Sequence, residues 1–413
     1  MGREAMAMYR SWLVAVGVGK IFPALQGSTH SSSSANSSMG SRAKLFFKGM
    51  ATRSTATADS QLSPITPTKG LNHRPHNVLP RMSDETITSK GSRIMVDFSD
   101  DSNAGHASLI GRLDAPKFGP GAISKQTNEY NDKLIKVQNS IPKWWEVGAA
   151  QFRQMRWNGE TPLPKPVVLS NGTDISLPSR ETGRSIPCRT FAPKDGHPRG
   201  VFLHIHGGGW VLQSEKYQDT MLDFLAQECQ LVVVSVGYRL APEHPYPAGN
   251  EDCVDAAEWL VDNAEGEFGA KLFFMGGDSA GAHLSVVTAF RLLETRGEFA
   301  FQALVLNFGM YELAGFTPQV HSFDLPLVLD KTIIEKYGFY GGFVIREPYA
   351  DVDLGIWKHI CPWAMAGAEA VVKIYPGAPH GFVFFPPGQF EGTEEALADI
   401  KTFLTEHSKV DAI

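Results

Sequence analysis

From Val167 onward, short runs that are apolar at almost every position alternate with stretches of helical periodicity, and this alternation constrains the fold more than any other feature. The runs are Ile186–Phe191, Val201–Ile205, Leu231–Val236, Lys271–Met275, Ala303–Phe308 and Ala370–Tyr375. A strand without polar alternation is buried on both faces, as strands of a parallel sheet are. Between the runs lie helical patterns at Tyr217–Glu228, Asp252–Asn263, Ser279–Thr295 and Thr393–His407. In the second of these, Val254, Ala257, Leu260 and Val261 share one face. Strand and helix in alternation predict an α/β fold, a mostly parallel sheet covered by helices on both faces. Functional sites of such sheets form beyond the carboxyl ends of the strands.

The rest of the 413-residue chain reads differently. Residues 1–105 are polar, rich in Ser, Thr and Pro, and aperiodic. They bury too little apolar surface to offset chain entropy and are expected to be a disordered or transit-like N-terminal arm. The first 50 residues carry six Lys/Arg against one acid, Glu4, with eight serines between Ser28 and Ser41. That composition fits a transit peptide, or upstream sequence ahead of a start at Met50 or Met82. The expected location is cytoplasmic, with the mitochondrion as the alternative. No run of 18 apolar residues predicts a transmembrane helix. Order is expected from near Ala107, with a helix over Asn128–Val147 and an aromatic group at Trp144, Trp145, Phe152 and Trp157. This segment either packs on the main core or roofs a pocket. A net charge of −6 gives no electrostatic reason to bind nucleic acid. Four Cys without CxxC or CxxH spacing form neither a disulfide framework nor a zinc site, and no cofactor or metal is expected.

Three motifs fall just after strands. Gly277-Asp278-Ser279-Ala280-Gly281 follows Lys271–Met275 and opens a helix. On so sharp a turn the Ser279 hydroxyl projects above the sheet, at a helix N-terminus whose dipole favours developing negative charge. Asp278 points elsewhere and is read as bracing the loop. His206-Gly207-Gly208-Gly209-Trp210 follows Val201–Ile205. Its glycines let backbone N–H groups face a substrate oxygen without Cβ obstruction. The amides of Gly207, Gly208 and Gly209, with that of Ala280, are the expected oxyanion donors. His206 is read as orienting the loop. His380, in Pro376-Gly377-Ala378-Pro379-His380-Gly381-Phe382, follows the last strand and is the candidate base for Ser279.

These blocks, together with Tyr238-Arg239-Leu240-Ala241-Pro242-Glu243-His244-Pro245-Tyr246-Pro247-Ala248, resemble the hormone-sensitive lipase-like branch of the α/β-hydrolase fold. The resemblance covers about residues 165–413. It implies a serine carboxylic ester hydrolase that works through an acyl-enzyme on a small-molecule ester. It also implies a helical cap, built from N-terminal helices at residues 106–164 and a segment at about 313–342. The Tyr238–Ala248 block is expected to brace the catalytic face. Nothing in the sequence indicates the oligomeric state.

One part of the family pattern is absent. The acid of the triad should follow a hydrophobic strand ahead of the His, yet Pro362 runs directly into Trp363. About 25 residues, one strand and part of a crossover, are missing at that join. The candidate surrogate acid is Asp353, with Asp351 and Glu369 as further carboxylates nearby, none of them placed after an apolar strand as the family's acid is. One sheet strand is therefore expected to be missing. Either Ala370–Tyr375 shifts into the slot by one strand spacing, roughly 4.8 Å, or its neighbours keep unpaired backbone. Three readings remain: an esterase impaired by loss of the acid, a catalytically dead small-molecule binder, and a truncated splice or gene-model product.

Overall fold

In the computed structural model, the described residues are 10–14, 121–311, 327–340, 371 and 373–408. All of them lie within one unit of the chain. Eight strands form a single sheet: β1 (Arg10–Val14), β2 (Thr173–Pro178), β3 (Ser185–Phe191), β4 (Val201–Ile205), β5 (Val232–Val236), β6 (Leu272–Asp278), β7 (Ala303–Asn307) and β8 (Lys373–Pro376). Their order is β2-β3-β5-β4-β6-β7-β1-β8. The central strands β5, β4, β6 and β7 are parallel, while β2–β3 and β3–β5 are antiparallel.

The helices are α1 (Lys125–Ser140), α2 (Trp144–Val147), α3 (Ala149–Asn158), α4 (Asp219–Cys229), α5 (Ala248–Phe268), α6 (Ala280–Thr295), α7 (Lys331–Tyr340) and α8 (Glu391–His407). Side-chain alternation along the buried strands divides the core in two. Val201, Leu203 and Ile205 of β4 join Val232, Val234 and Val236 of β5 against α5 and α6. Phe202 and Val233, between them in sequence, point to the other face, against α4 and α8. The parallel alternation read from the sequence is thus the frame of the fold. The helix expected over Asn128–Val147 is two helices, because Ile141 is extended ahead of Pro142, as a residue before proline prefers to be. The edge strand β2 went unread: it is short and mostly exposed, so it lacks the continuous apolar signature. Among the described residues, no helix is long and apolar enough to cross a membrane.

Two expectations are corrected at the far end of the sheet. The slot between β7 and β8 is not empty, and β8 has not moved into it. It is held by β1, from the arm read as disordered. β1 pairs antiparallel with both neighbours, Leu13 opposite Asn307 of β7 and opposite Lys373 of β8. The physical reason is backbone satisfaction. Two parallel strands one spacing too far apart leave rows of unmet N–H and C=O groups, and a short extended segment from elsewhere in the chain can meet both rows. The rest of the arm lies outside the described residues.

Candidate active site

Strand β6 continues through Gly276 and Gly277 to Asp278, and Ser279 follows it as the N-cap of α6 with φ +56° and ψ −116°. A non-glycine residue in this region is strained and persists only where its surroundings hold it. The Ser279 N–H donates to Asn307 O at 2.8 Å, and its carbonyl accepts from the N–H groups of Ala282 and His283. Close approach explains one glycine of the motif: a Cβ at Gly281 would collide with the backbone oxygens of Ile205 and His206.

Beneath Ser279 runs a buried polar chain. Asp278 accepts from Asn307 Nδ2 at 2.7 Å and pairs with His204 Nε2 at 2.9 Å, and His204 Nδ1 meets Ser235 Oγ at 2.9 Å. All four residues are buried, so every carboxylate, imidazole and hydroxyl there depends on its partner. Asp278 therefore points down into the sheet, away from Ser279. His204 and Ser235 were not singled out from the sequence. The signal was present as polar residues inside continuously apolar strands.

The glycine loop leaves β4 with Gly208 at φ +98° and Gly209 at φ +60°. Tyr337 of α7 occupies the space that a Cβ at Gly209 would need. Gly208 O accepts from the N–H groups of Val211 and Leu212. The amides of Gly208, Gly209 and Ala280 donate to no protein acceptor among the described residues. Tyr238 supports the loop from behind. Its ring stacks on His206 at 4.2 Å, and its hydroxyl donates to His206 O at 2.9 Å. His206 Nδ1–H meets Gly207 O at 2.9 Å, and burial pushes the imidazole down to about 3, so it stays neutral. Arg153 of α3 binds the same face. Its guanidinium donates to Val211 O, to Ala241 O and, as a fork, to Glu243 at 2.8 and 2.9 Å.

His380 stands on the other side. Its ring packs edge-on against Phe308 at 4.8 Å, and Phe308 itself has φ +39°. Burial pushes the imidazole from 6.5 down to about 4. Among the described residues it makes no hydrogen bond, neither to Ser279 nor to a carboxylate. Asp351, Asp353 and Glu369 lie outside the described residues.

Ser279, Gly207, Gly208, Gly209 and His380 line one cavity of about 790 Å³, its open mouth included. Its walls come from α1, α2, α3, α7 and the segment after His380. Trp144 stacks on Tyr337 across it, with ring centres 5.5 Å apart and planes 12° from parallel. Arg156 of α3 also lines it. This side chain is 4 % exposed, lies 5.3 Å from the Tyr217 ring, and is pushed by burial down to about 10. Among the described residues, no three His, Cys, Asp or Glu side chains cluster as metal ligands would.

Comparison with known proteins agrees with this architecture. A family model described as alpha/beta hydrolase fold matches residues 202–337. The carboxylic ester hydrolase LipN of Mycobacterium tuberculosis is 34 % identical over 166 residues, covering 40 % of this chain and 43 % of that protein. Carboxylesterase NlhH of the same species is 35 % identical over 204 residues, 46 % of this chain and 59 % of the relative. The ethyl acetate hydrolase of Pseudomonas putida is 32 % identical, with 40 % and 53 % covered. The chain spans about half the length of these curated relatives. A solved esterase of Pyrobaculum calidifontis superposes with a TM-score of 0.53 at 26 % identity, covering 69 % of this chain and 94 % of that one. An esterase of the bacterial hormone-sensitive lipase family gives 0.54 at 22 % identity, a likeness of fold.

Proposed function

We propose that this chain, a hormone-sensitive lipase-like α/β-hydrolase, is a serine carboxylic ester hydrolase. The observation that carries the reading is the shared cavity. It holds a serine on a left-handed turn, a glycine loop with unused amides, and a histidine kept neutral by burial.

Ser279 Oγ attacks the ester carbonyl carbon while His380 accepts its proton. The carbonyl π pair moves onto oxygen, and the amides of Gly208, Gly209 and Ala280 receive the resulting oxyanion. One such donor is worth about 3 kcal/mol in the transition state. The oxyanion collapses, the alcohol leaves with the proton from His380, and the acyl group remains on Ser279. Water then attacks the acyl carbon by the same proton route, releasing the carboxylic acid and restoring the Ser279 hydroxyl. Helices α1 to α3 and α7 act as the cap that shapes the substrate. The Tyr238 and Arg153 contacts hold the glycine loop in place.

One observation supports an impaired catalyst, and in the limit a binder without turnover: no carboxylate among the described residues is bonded to His380. An imidazolium formed there meets no counter-charge among the described residues. In serine proteases, losing that support lowers turnover by about 10⁴-fold. A low imidazole pKa also weakens the base.

The test uses the purified full chain and 4-nitrophenyl butyrate, alongside Ser279→Ala. The expected result is nitrophenol release and fluorophosphonate labelling by the parent, with both lost in the variant. Equal rates in the two proteins would overturn the esterase reading. Labelling without turnover would leave the acylating serine in place and assign the chain to the non-turnover reading.

A further inference from the structure

Buried arginines are costly unless an anion meets them. Arg156 is 4 % exposed, lines the cavity that holds Ser279, and forms no ion pair among the described residues. Its Nη1 donates to Pro164 O. Its Nε is buried with no acceptor, and Nη2 has none among the described residues either. The edge left over is the side-on Nε/Nη2 pair, which matches the two oxygens of a carboxylate. Position in the last turn of α3 and the Tyr217 ring offset part of the cost of burying this cation, but neither supplies a counter-charge.

The surroundings point the same way. Besides the neutral His380, the titratable side chains of Lys143 and Arg156 line the cavity among the described residues, with no Asp or Glu. Lys143 Nζ donates to the backbone oxygen of Gln138 and forms no ion pair among the described residues. Gln138 and Gln213, both 6 % exposed, line the same walls, and Thr161 Oγ1 is buried there without a partner. A cavity whose described lining carries net positive charge, a guanidinium edge with no acceptor among the described residues and a buried hydroxyl without a partner suits an anion. It sits in a chain of net charge −6, so the local sign runs against the global one.

We propose that the substrate carries a free carboxylate besides its ester, as in a half-ester of a dicarboxylic acid or a hydroxy acid esterified through its hydroxyl, and that Arg156 receives it. Arg156 is then a specificity-determining residue, and Lys143 adds to the field at the cavity wall. The reaction depends on the esterase reading above, whereas the binding does not.

The experiment compares monomethyl glutarate and monomethyl adipate with methyl pentanoate and methyl hexanoate in the full chain. Expected is a kcat/KM ratio of anionic over neutral ester of tenfold or more. Arg156→Met, which keeps the apolar stem, should cut that ratio at least tenfold, mainly through KM, and Arg156→Lys should restore part of it. Calorimetric binding of monomethyl adipate to Ser279→Ala, lost in the Ser279→Ala/Arg156→Met double variant, reads the site without turnover. A parent ratio near one, or a ratio unmoved in an Arg156→Met protein that still melts cooperatively, would overturn the proposal. If the parent hydrolyses no ester, the esterase reading fails alone. Calorimetry on the parent then decides the anion site: binding sustains it and absence of binding overturns it.

Discussion

On the side of Ser279 that faces β4, the Asp278 carboxylate and both His204 ring nitrogens under the turn have partners. Asp278, His204, Ser235 and Asn307 form a closed buried chain, and Tyr238 and Arg153 hold the glycine loop from two directions. On the side that faces β8, His380 meets a Phe308 ring and no hydrogen-bonding partner among the described residues, and the adjoining sheet position is filled by five residues from the N-terminal arm. The difference separates two requirements of one chemistry. The proposed nucleophile and oxyanion donors are braced by side chains that neighbouring elements β4, β5, β7 and α3 bring under and behind them. The proposed base needs an acid from another strand, and at the adjoining sheet position the described residues supply backbone pairing by β1 and no carboxylate bonded to His380. A sheet can accept a stand-in strand because hydrogen-bonded ladders ask only for extended backbone, whereas a proton relay asks for a particular side chain.

The largest test of this contrast is His204→Ala. It leaves Asp278 buried with one partner gone, and stability should fall by about 3 kcal/mol or more. Chemical denaturation of the two proteins measures it, and a loss below about 1 kcal/mol would mean the nucleophile side is not braced as drawn. Leu13→Pro probes the other side, where the substitution removes a ladder hydrogen bond of β1. If β1 closes the sheet, the loss is about 1 kcal/mol and the melting temperature drops by roughly 2–4 °C. An unchanged melt would detach β1 from the sheet and sharpen the contrast further.

The pH profile is the mildest probe. A base depressed to about 4 is neutral at pH 7, so kcat/KM should fall with acid only near pH 4. A histidine paired with a carboxylate would lose activity nearer its ordinary 6.5 or above. Stability has the same sign. His206, His283 and His380 all have folded values below 6.5, at about 3, 4 and 4. The unfolded chain therefore takes up more protons between those values and 6.5, and the stability present above pH 6.5 declines as pH falls through that window. Melting temperatures measured from pH 7 to 4 report it.

Much of the site was legible because it is local. Gly277 to Gly281 and His206 to Trp210 each follow a buried strand directly, so a short motif with its strand fixes the backbone path. The buried chain under Ser279 was less legible, since His204 and Ser235 stand 31 residues apart and meet only through β4–β5 pairing. Arg156 gave no sequence signal at all. A basic residue in a helix ordinarily marks a solvated face, and its burial depends on how α3 docks over the cavity.

Sequence by itself determined the alternation of buried strands and helices, the sharp turn at Ser279 and the permissive loop at Gly207 to Gly209. These follow from side-chain periodicity and backbone sterics, which act over a few residues. Tertiary structure alone decided that Arg10–Val14 fills the gap between β7 and β8, that His204 holds Asp278, and that a guanidinium without an ion pair among the described residues shares the serine's cavity. Each joins residues far apart in the chain, and such contacts are selected by unmet hydrogen bonds and buried charge, which exist only once the core has formed.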